Sequence, residues 1–149
     1  FLGAHELTVR TLLPKDLEAI LRIDTKVSGR RREESFKRKL AEDLAEIDIK
    51  VYLAAEIDGA LVGFLLAHVL YGEFGIAEPV AVLETLGVDP SFHGQGAGHA
   101  LMAQLRAELR ELGIRELRSE VAWDDVRLVR FFQREGFTPA QRLCLTLRL

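Results

Sequence analysis

The sequence offers little from which a covalent or metal framework could be built. Cys144 is the only cysteine, so no internal disulfide can form. The four histidines form neither a His-Glu-x-x-His motif nor a paired spacing with cysteine. We therefore expect no metal site and a fold held together by its hydrophobic core.

Long apolar runs and an excess of positive charge are also missing. The most apolar stretch, 61–71, is interrupted by Gly63 and His68 and is far shorter than the roughly 20 residues that a membrane-spanning helix needs. The N-terminal residues do not have the basic and apolar regions of a secretory signal. A net charge of -3 argues against a general nucleic-acid or acidic-membrane surface and is compatible with a cationic substrate such as an amine. These features predict a cytoplasmic protein with no nucleic-acid or membrane partner.

What is present fits one globular domain. The 149 residues are 48% hydrophobic and 29% charged, and a chain of this size can bury roughly two thirds of the surface that its unfolded form exposes. No repeat, low-complexity tract or linker divides the sequence. We expect a single α+β domain over residues 1–149, with helices layered on a sheet.

Hydrophobic periodicity predicts the order of the elements. Alternating or apolar runs predict strands at 7–12, 51–57, 61–69, 80–88 and 116–121, and a half-buried terminal strand at 142–149. Apolar residues three and four apart predict helices at 14–24, 36–47, 98–112 and 125–135. Asp58-Gly59 suits a tight turn between antiparallel strands, and 72–79 is expected to be a loop.

The most informative stretch is 83–102, where alternating glycines separate a strand from a helix. Asp89-Pro90 ends the strand, because proline cannot continue a hydrogen-bonded ladder. Gly94, Gly96 and Gly98 follow, immediately before the helical stripe of leucines. Glycine lets a ligand approach main-chain N–H groups, which at a helix N-terminus are unpaired and aligned with the dipole. The stretch is therefore typical of an anion cradle, of the kind that binds a pyrophosphate.

The spacing of the glycines excludes two common nucleotide loops. No Lys-Ser or Lys-Thr follows them, so the stretch is not a P-loop. The dinucleotide fingerprint Gly-x-Gly-x-x-Gly also fails, since His99 or Leu101 stands where its third glycine should be.

The stretch resembles the acetyl-CoA loop of the GNAT N-acetyltransferases, Gln/Arg-x-x-Gly-x-Gly/Ala after a strand ending in Val-x-Pro. Here the segment 93–98 reads His-Gly-Gln-Gly-Ala-Gly and follows Val88-Asp89-Pro90, with His93 where the family usually has Gln or Arg. A second block, 125–137, is similar to the family's Asn-x-x-Ala-x-x-Phe-Tyr-x-x-x-Gly-Phe segment, with Asp125 for Asn and Phe132 for Tyr.

This resemblance implies a fold and a reaction. The fold is a mixed, mostly antiparallel central sheet flanked by helices and splayed between its fourth and fifth strands. In the implied reaction, acetyl-CoA is the co-substrate, and its acetyl group passes to a primary amine by direct attack in a ternary complex. The acceptor is an amine-bearing small molecule, peptide or protein. The residues expected to contact acetyl-CoA are Leu86, Val88, His93, Gly94, Gln95, Gly96, Ala97, Gly98, His99, Asp125 and Phe132.

Two further residues are expected at the acceptor side. Glu84 is the candidate catalytic base, because strand alternation places it on one face with Val82, Leu86 and Val88, among apolar neighbours that make a carboxyl a better proton acceptor. The alternative is a structural carboxylate bonded to a loop or to Arg30. Arg30 is the candidate acceptor-binding residue, since in the family its loop borders the acceptor site. The other charges of 28–46 are expected to pair among themselves.

Two questions stay open on the sequence. Phe132 takes the place of the tyrosine that commonly serves the family as acid. Either the enzyme works without that acid and Phe132 packs on the cofactor, or Phe131 and Phe132 are core residues of a non-catalytic acyl-CoA-binding module. The segment after Phe137 is also shorter than the family's usual last hairpin, which predicts an open acceptor site or one completed by a second subunit in a homodimer.

Overall fold

A computed structural model describes residues 6–40, 49–71 and 78–149, and within these ranges one five-stranded sheet forms. Its strands lie in the order β1 to β5, antiparallel from β1 to β4, with β5 parallel to β4. This is the mixed, mostly antiparallel sheet that the sequence predicts. The strands are β1 (Leu7–Thr11), β2 (Ile49–Ile57), β3 (Ala60–Leu70), β4 (Val80–Val88) and β5 (Leu117–Ser119).

The described residues form four α-helices and two short 3-10 turns. The turn at Pro14–Asp16 leads into the first helix, and the turn at Pro90–Phe92 follows β4. The predicted continuation of the second helix through Leu44 and Ile47 lies outside the described residues, as does most of the predicted loop at 72–79. The helices are α1 (Leu17–Ser28), α2 (Glu33–Leu40), α3 (Ala97–Glu111) and α4 (Val126–Arg134).

Helices cover both faces of the sheet, because alternate residues of β3 point to opposite sides. Leu65 packs with α3 and α4, whereas Phe64 packs with α1 and α2. The hairpin between β2 and β3 turns at Asp58 (φ 52) and Gly59 (φ 78), as their dipeptide predicts. None of the helices in the described ranges is long and apolar enough to cross a membrane.

The sheet opens between β4 and β5, as the family resemblance implies. The two strands pair only from Ala81↔Leu117 to Leu83↔Ser119. The ladder ends where Ser119 Oγ donates to the Leu83 carbonyl at 2.9 Å. β4 runs on to Val88, so the second half of β4 faces a gap on its β5 side.

The prediction of a terminal strand at 142–149 is wrong. Residues 138–149 form neither helix nor strand, and Leu143, Leu145 and Leu147 are 86%, 86% and 82% exposed. A segment of alternating apolar and polar residues forms a strand with a buried face only where it can pair with an edge strand and pack on an apolar surface. Within one chain, this segment pairs with no strand of the described sheet.

Candidate active site

The glycine loop lies where β4 ends and α3 begins. Gly94 and Gly96 have φ of +79° and +86°, in the left-handed region that side chains rarely adopt. A Cβ on Gly94 would meet nothing within 4 Å, and one on Gly96 would meet only Leu7 Cδ2, at 4.0 Å. Open space therefore lies against the backbone at the head of a 15-residue helix, whose first N–H groups point into it. Between these glycines, Gln95 is exposed.

Gly98 has a different role from the other two glycines. A Cβ at Gly98 would lie 2.9 Å from Phe131 Cε1, so the missing side chain allows α3 and α4 to pack closely. Ala97, beside it, is buried in the core. The sequence pattern could not separate these roles, because the partner of Gly98 lies 33 positions further along the chain.

Basic side chains flank the loop. His93 is exposed, with its Nδ1 3.5 Å from Arg127 Nη1 at the start of α4. Arg127 was not predicted from the sequence, although its position two residues after Asp125 in the second motif was the available signal. His99 turns to α4 instead, where its Nδ1 lies 2.9 Å from Glu135 Oε2.

A buried carboxylate fixes the start of the loop. The Asp89 N–H donates to the Val62 carbonyl at 2.8 Å, and its side chain accepts the Ser91 N–H at 3.0 Å. Lys26 Nζ, from α1, lies 3.3 Å from the same carboxylate. Burial raises the pKa of Asp89, but the Ser91 N–H and Lys26 outweigh burial and hold the pKa below its usual value. No sequence pattern marks Lys26 as a residue that anchors the loop, because its partner Asp89 lies 63 positions away.

The gap beside β4 exposes backbone hydrogen-bonding groups. Because Asp89 bonds to β3, alternation along an antiparallel ladder turns the N–H and C=O of Val88 away from β3, towards the gap. The same alternation applies to Leu86. The side chains of both residues are half-buried against the α3 side of the core.

Glu84 lies in a β-bulge that strand alternation did not predict. Leu66 pairs with Thr85 and Ala67 pairs with Leu83, so Glu84 lies opposite no residue of β3. A bulge reverses which face the following residues use. The predicted common face of Glu84 with Leu86 and Val88 is therefore wrong, since those two face α3.

The Glu84 carboxylate lies between two basic groups rather than among apolar side chains. Lys39 Nζ, from α2, is 3.4 Å from Oε2, and His68 Nδ1, from β3, is 3.2 Å from Oε1. The side chains of Glu84 and His68 are 29% and 18% exposed, so both remain accessible to a small molecule. The only sequence signal for His68 was that it interrupts the apolar run 61–71.

The comparisons with known proteins identify the family. A family model described as Acetyltransferase (GNAT) family matches residues 17–137. The chain belongs to the GNAT family. This family membership makes it an acyltransferase of the N-acetyltransferase type.

Individual relatives agree with this assignment. The GNAT chain is 34% identical over 107 residues to an aminoglycoside N(6')-acetyltransferase type 1 of Stenotrophomonas maltophilia, covering 70% of each sequence. It is 37% identical over 103 residues to a mycothiol acetyltransferase of Sanguibacter keddieii, covering 68% of this chain but 33% of that protein.

Solved structures show the same fold. The aminoglycoside N-acetyltransferase AAC(6')-Iy in complex with CoA superposes with a TM-score of 0.81 at 21% identity, covering 99% of this chain and 98% of that one. The aminoglycoside 6'-N-acetyltransferase AAC(6')-Ih of Acinetobacter baumannii gives 0.80 at 18%, covering 97% and 99%.

The second motif of this GNAT chain is structural in the described contacts. Asp125 caps α4, and its Oδ1 accepts the Leu128 N–H at 3.2 Å, while its contact with acetyl-CoA stays a prediction. Phe132 is 6% exposed, with ring centroids 5.7 Å from Phe131 and 4.7 Å from Phe137. Phe132 is thus part of the core between the sheet, α3 and α4, while its contact with the cofactor stays a prediction.

The arginines after α1 differ in their partners. Arg32 pairs with the buried carboxylate of Asp24, and Arg31 pairs with Glu18 and Glu33. The guanidinium of Arg30 is exposed and takes part in none of the hydrogen bonds or ion pairs of the described residues. The role of Arg30 in binding an acceptor stays a prediction. Among the described residues of 28–46, the expected pairing within the segment is confirmed for Arg31 with Glu33.

Proposed function

We propose that this GNAT chain transfers the acetyl group of acetyl-CoA to a primary amine of a small molecule, by direct attack in a ternary complex. The observation that carries the proposal is the open glycine loop of Gly94 and Gly96 beside a strand whose backbone faces a gap. The loop supplies N–H groups for a pyrophosphate, and the gap supplies an N–H for a carbonyl.

The residues present fit acetyl-CoA. The backbone N–H groups of 94–99 would hold the pyrophosphate, with His93 and Arg127 adding positive charge at the edge of the loop. The Val88 N–H would donate to the carbonyl oxygen, where charge develops during attack. When bound, acetyl-CoA supplies an acetyl thioester that is already activated towards an amine.

Glu84 is the proposed base. An amine must lose a proton to complete the attack, and a carboxylate within reach directly or through one water can accept it. His68 orients the carboxylate through the 3.2 Å contact between its Nδ1 and Glu84 Oε1. Lys39 Nζ, 3.4 Å from the other oxygen, holds the carboxylate from the α2 side.

The reaction does not require a side-chain acid in place of Phe132. A thiol has a pKa of about 8.5, so a thiolate is only mildly unstable at neutral pH. The absence of a general acid typically costs about 10²–10⁴-fold rather than all activity.

The acceptor is proposed to be a small amine, with an aminoglycoside as its first representative. The relative covering 70% of the chain is named an aminoglycoside N(6')-acetyltransferase. The net charge of -3 is compatible with a cationic acceptor. Arg30 would contact a polar group of the acceptor that is not the attacking amine.

A free-thiol release assay tests the proposal. Acetyl-CoA is incubated with the protein and, in turn, an aminoglycoside with a 6'-amine, a polyamine, free lysine and a peptide with a free N-terminus. We expect thiol release that depends on a small amine. Release with the peptide alone would contradict the small-molecule acceptor. Tight acetyl-CoA binding without amine-dependent release in any arm would leave a non-catalytic acyl-CoA-binding module.

A further inference from the structure

Lysine is scarce in this chain, and one lysine lies beside the proposed base. Of the 20 basic residues, 15 are arginine and five are lysine. The Nζ atom of Lys39 lies 3.4 Å from Glu84 Oε2. All five lysines fall within the described residues, and Lys39 is the one that forms an ion pair with Glu84. The other four are Lys15, Lys26, Lys37 and Lys50.

Helix packing brings Lys39 to this position. Phe36 of α2 is buried, and its ring lies edge-on to Phe64 of β3 with the ring centroids 5.6 Å apart. Residues three apart share one face of a helix, so the docking of Phe36 turns Lys39 towards the sheet. The Lys39 side chain is 31% exposed, whereas Lys37, two positions earlier, is an exposed residue. The packing of α2 on the core therefore holds the Lys39 amine next to Glu84.

The contact between Lys39 and Glu84 adds little to the stability of the fold. The two side chains are 31% and 29% exposed, and ion pairs that are this accessible to water contribute little to the free energy of unfolding. An arginine would pair with a carboxylate more strongly, through two parallel hydrogen bonds. Lysine instead carries an amine that can lose its proton and attack a carbonyl carbon.

Glu84 lies where the gap between β4 and β5 opens. The ladder between the two strands ends at Leu83, the residue before Glu84. The Val88 N–H, which is proposed to bind the acetyl carbonyl, lies further along the same strand. An amine that gives its proton directly to Glu84 must lie close to the carboxylate, where the Lys39 amine already is. The flexible four-carbon stem of lysine allows this amine to swing into the gap.

We propose that Lys39 is a site of self-acetylation, at which its amine takes the place of the acceptor and receives the acetyl group of acetyl-CoA bound to the same chain. This inference rests on the proposed function, because it uses the same co-substrate and the same base.

The transfer to Lys39 balances in atoms and charge. The Nζ atom gives one proton to the Glu84 carboxylate and forms a bond to the acetyl carbon. The C–S bond breaks with its electron pair on sulfur, and the nitrogen releases a second proton to water. The thiolate then takes the proton from Glu84, which returns to its ionised form. The products are an acetylated Lys39, the free CoA thiol and one proton in solution.

Mass spectrometry of the full chain tests this step. The protein is incubated with deuterated acetyl-CoA and no amine, and the label is mapped after digestion. We expect the label on Lys39, at a rate per chain that is unchanged when the protein is diluted, since the transfer is intramolecular. Lys37, on the same helix, is the internal control and should stay unlabelled. Equal labelling of the two lysines, or a rate per chain that rises with protein concentration, would overturn the proposal.

Two variants separate enzymatic from spontaneous acetylation. Glu84→Gln should slow the labelling of Lys39 by about 10²–10⁴-fold, because the amide cannot accept the proton. Lys39→Arg keeps the positive charge and should abolish the labelling without moving it to another lysine. If Glu84→Gln labels Lys39 as fast as the wild type does, the thioester reacts without help from the site, and the proposal is wrong.

The free-thiol assay with small amines, run in parallel, separates this inference from the proposed function. Thiol release that depends on an amine, together with an unlabelled Lys39, would overturn self-acetylation and leave the proposed function intact. The absence of both thiol release and label would overturn both.

Discussion

Glu84 shows how one extra residue in a strand changes the surroundings of a carboxylate. In regular alternation Leu86 and Val88 would share its face, but the bulge turns those two residues to the α3 side and leaves Glu84 beside Lys39 and His68. Bulges recur beside active sites because they aim a side chain while the ladder continues on either side. The carboxylate is therefore oriented by two polar contacts rather than by an apolar pocket.

The role of Glu84 can be tested by Glu84→Gln. We expect turnover to fall by about 10²–10⁴-fold, because the amide cannot accept the proton of the amine. The Kd of acetyl-CoA should be unchanged, since the glycine loop is intact. His68→Asn should cost less turnover, because it removes only a contact that orients the carboxylate. Glu108→Gln, at a carboxylate of α3 that accepts a hydrogen bond from Gln104, is the control. Full activity of Glu84→Gln would make Glu84 only a structural partner of its two neighbours.

Asp16 is a buried carboxylate whose role is stability. It accepts hydrogen bonds from Arg10 Nη1 and Nη2 at 2.8 and 2.9 Å and from the Leu13 N–H at 2.8 Å. The hydrogen bonds from Arg10 outweigh burial and hold the pKa of Asp16 below its usual value. A depressed pKa in the folded state means that the unfolded chain binds the proton more tightly. The stabilisation is thus complete above the unfolded pKa and is lost as the pH falls through the folded one.

The pH dependence of stability follows for Asp16→Asn. At pH 7 we expect the free energy of unfolding to fall by about 2 kcal/mol, because Arg10 loses its charged partner. The difference from wild type should shrink as the pH drops below about 4, where the unfolded wild-type chain begins to bind the proton, and it should vanish below the lowered pKa of the folded state. Urea denaturation at pH 7, 5 and 3 measures the difference in the free energy of unfolding. The control Glu18→Gln, at the exposed pair with Arg31, should leave the free energy of unfolding unchanged. A difference that stays constant over this pH range would exclude the charge as its source.

Among the secondary-structure elements, α3 links the glycine loop to the core. Its first residues carry the glycine loop, and its buried face packs on the sheet through Leu101, Met102 and Leu105. Two further elements fix the position of the loop. Lys26 of α1 pairs with Asp89 at its start, and α4 packs closely against Gly98. Such fixed surroundings keep the N–H groups aimed at the same point in space before a ligand arrives.

Two alanine variants on α3 separate strain from binding. Gly96 and Gly113 have φ of +86° and +75°, and a Cβ would meet no closer atom than 4.0 Å at either position. Both Gly96→Ala and Gly113→Ala should lose about 1–2 kcal/mol of stability from the left-handed backbone. Calorimetry should show acetyl-CoA affinity reduced about tenfold for Gly96→Ala alone. A hydrogen bond to one backbone N–H contributes about a factor of ten to affinity, and the added Cβ would hinder it. Equal affinities in the two variants would remove the loop from the binding site.

For the molecule as a whole, ligand binding should raise thermal stability. At a free acetyl-CoA concentration of 100 times Kd, we expect about 2.7 kcal/mol of added stability. For a chain of 149 residues this corresponds to a rise in Tm of roughly 5–10 °C. CoA should act similarly, whereas NAD should not, because the dinucleotide fingerprint is absent. A shift with NAD equal to that with acetyl-CoA would contradict the assignment of the loop.

The elements and the glycine loop between β4 and α3 were predictable because their signals are local. Asp58-Gly59 specifies a tight turn through two adjacent backbone angles, and Gly113 ends α3 for the same kind of reason. The glycine loop depends on six consecutive residues between a strand and a helix. The family resemblance added the splay between β4 and β5, which periodicity alone does not encode.

Three features depended on contacts between distant parts of the chain. They are the surroundings of Glu84, the packing role of Gly98 and the exposure of the C-terminal leucines. The bulge arises from the register of β3 against β4, and Gly98 meets a ring on another helix. The alternation at 142–149 was visible in the sequence, but a strand needs a partner edge, and the single chain provides none for this segment. Sequence patterns encode which faces are apolar, whereas long-range pairing sets what those faces meet.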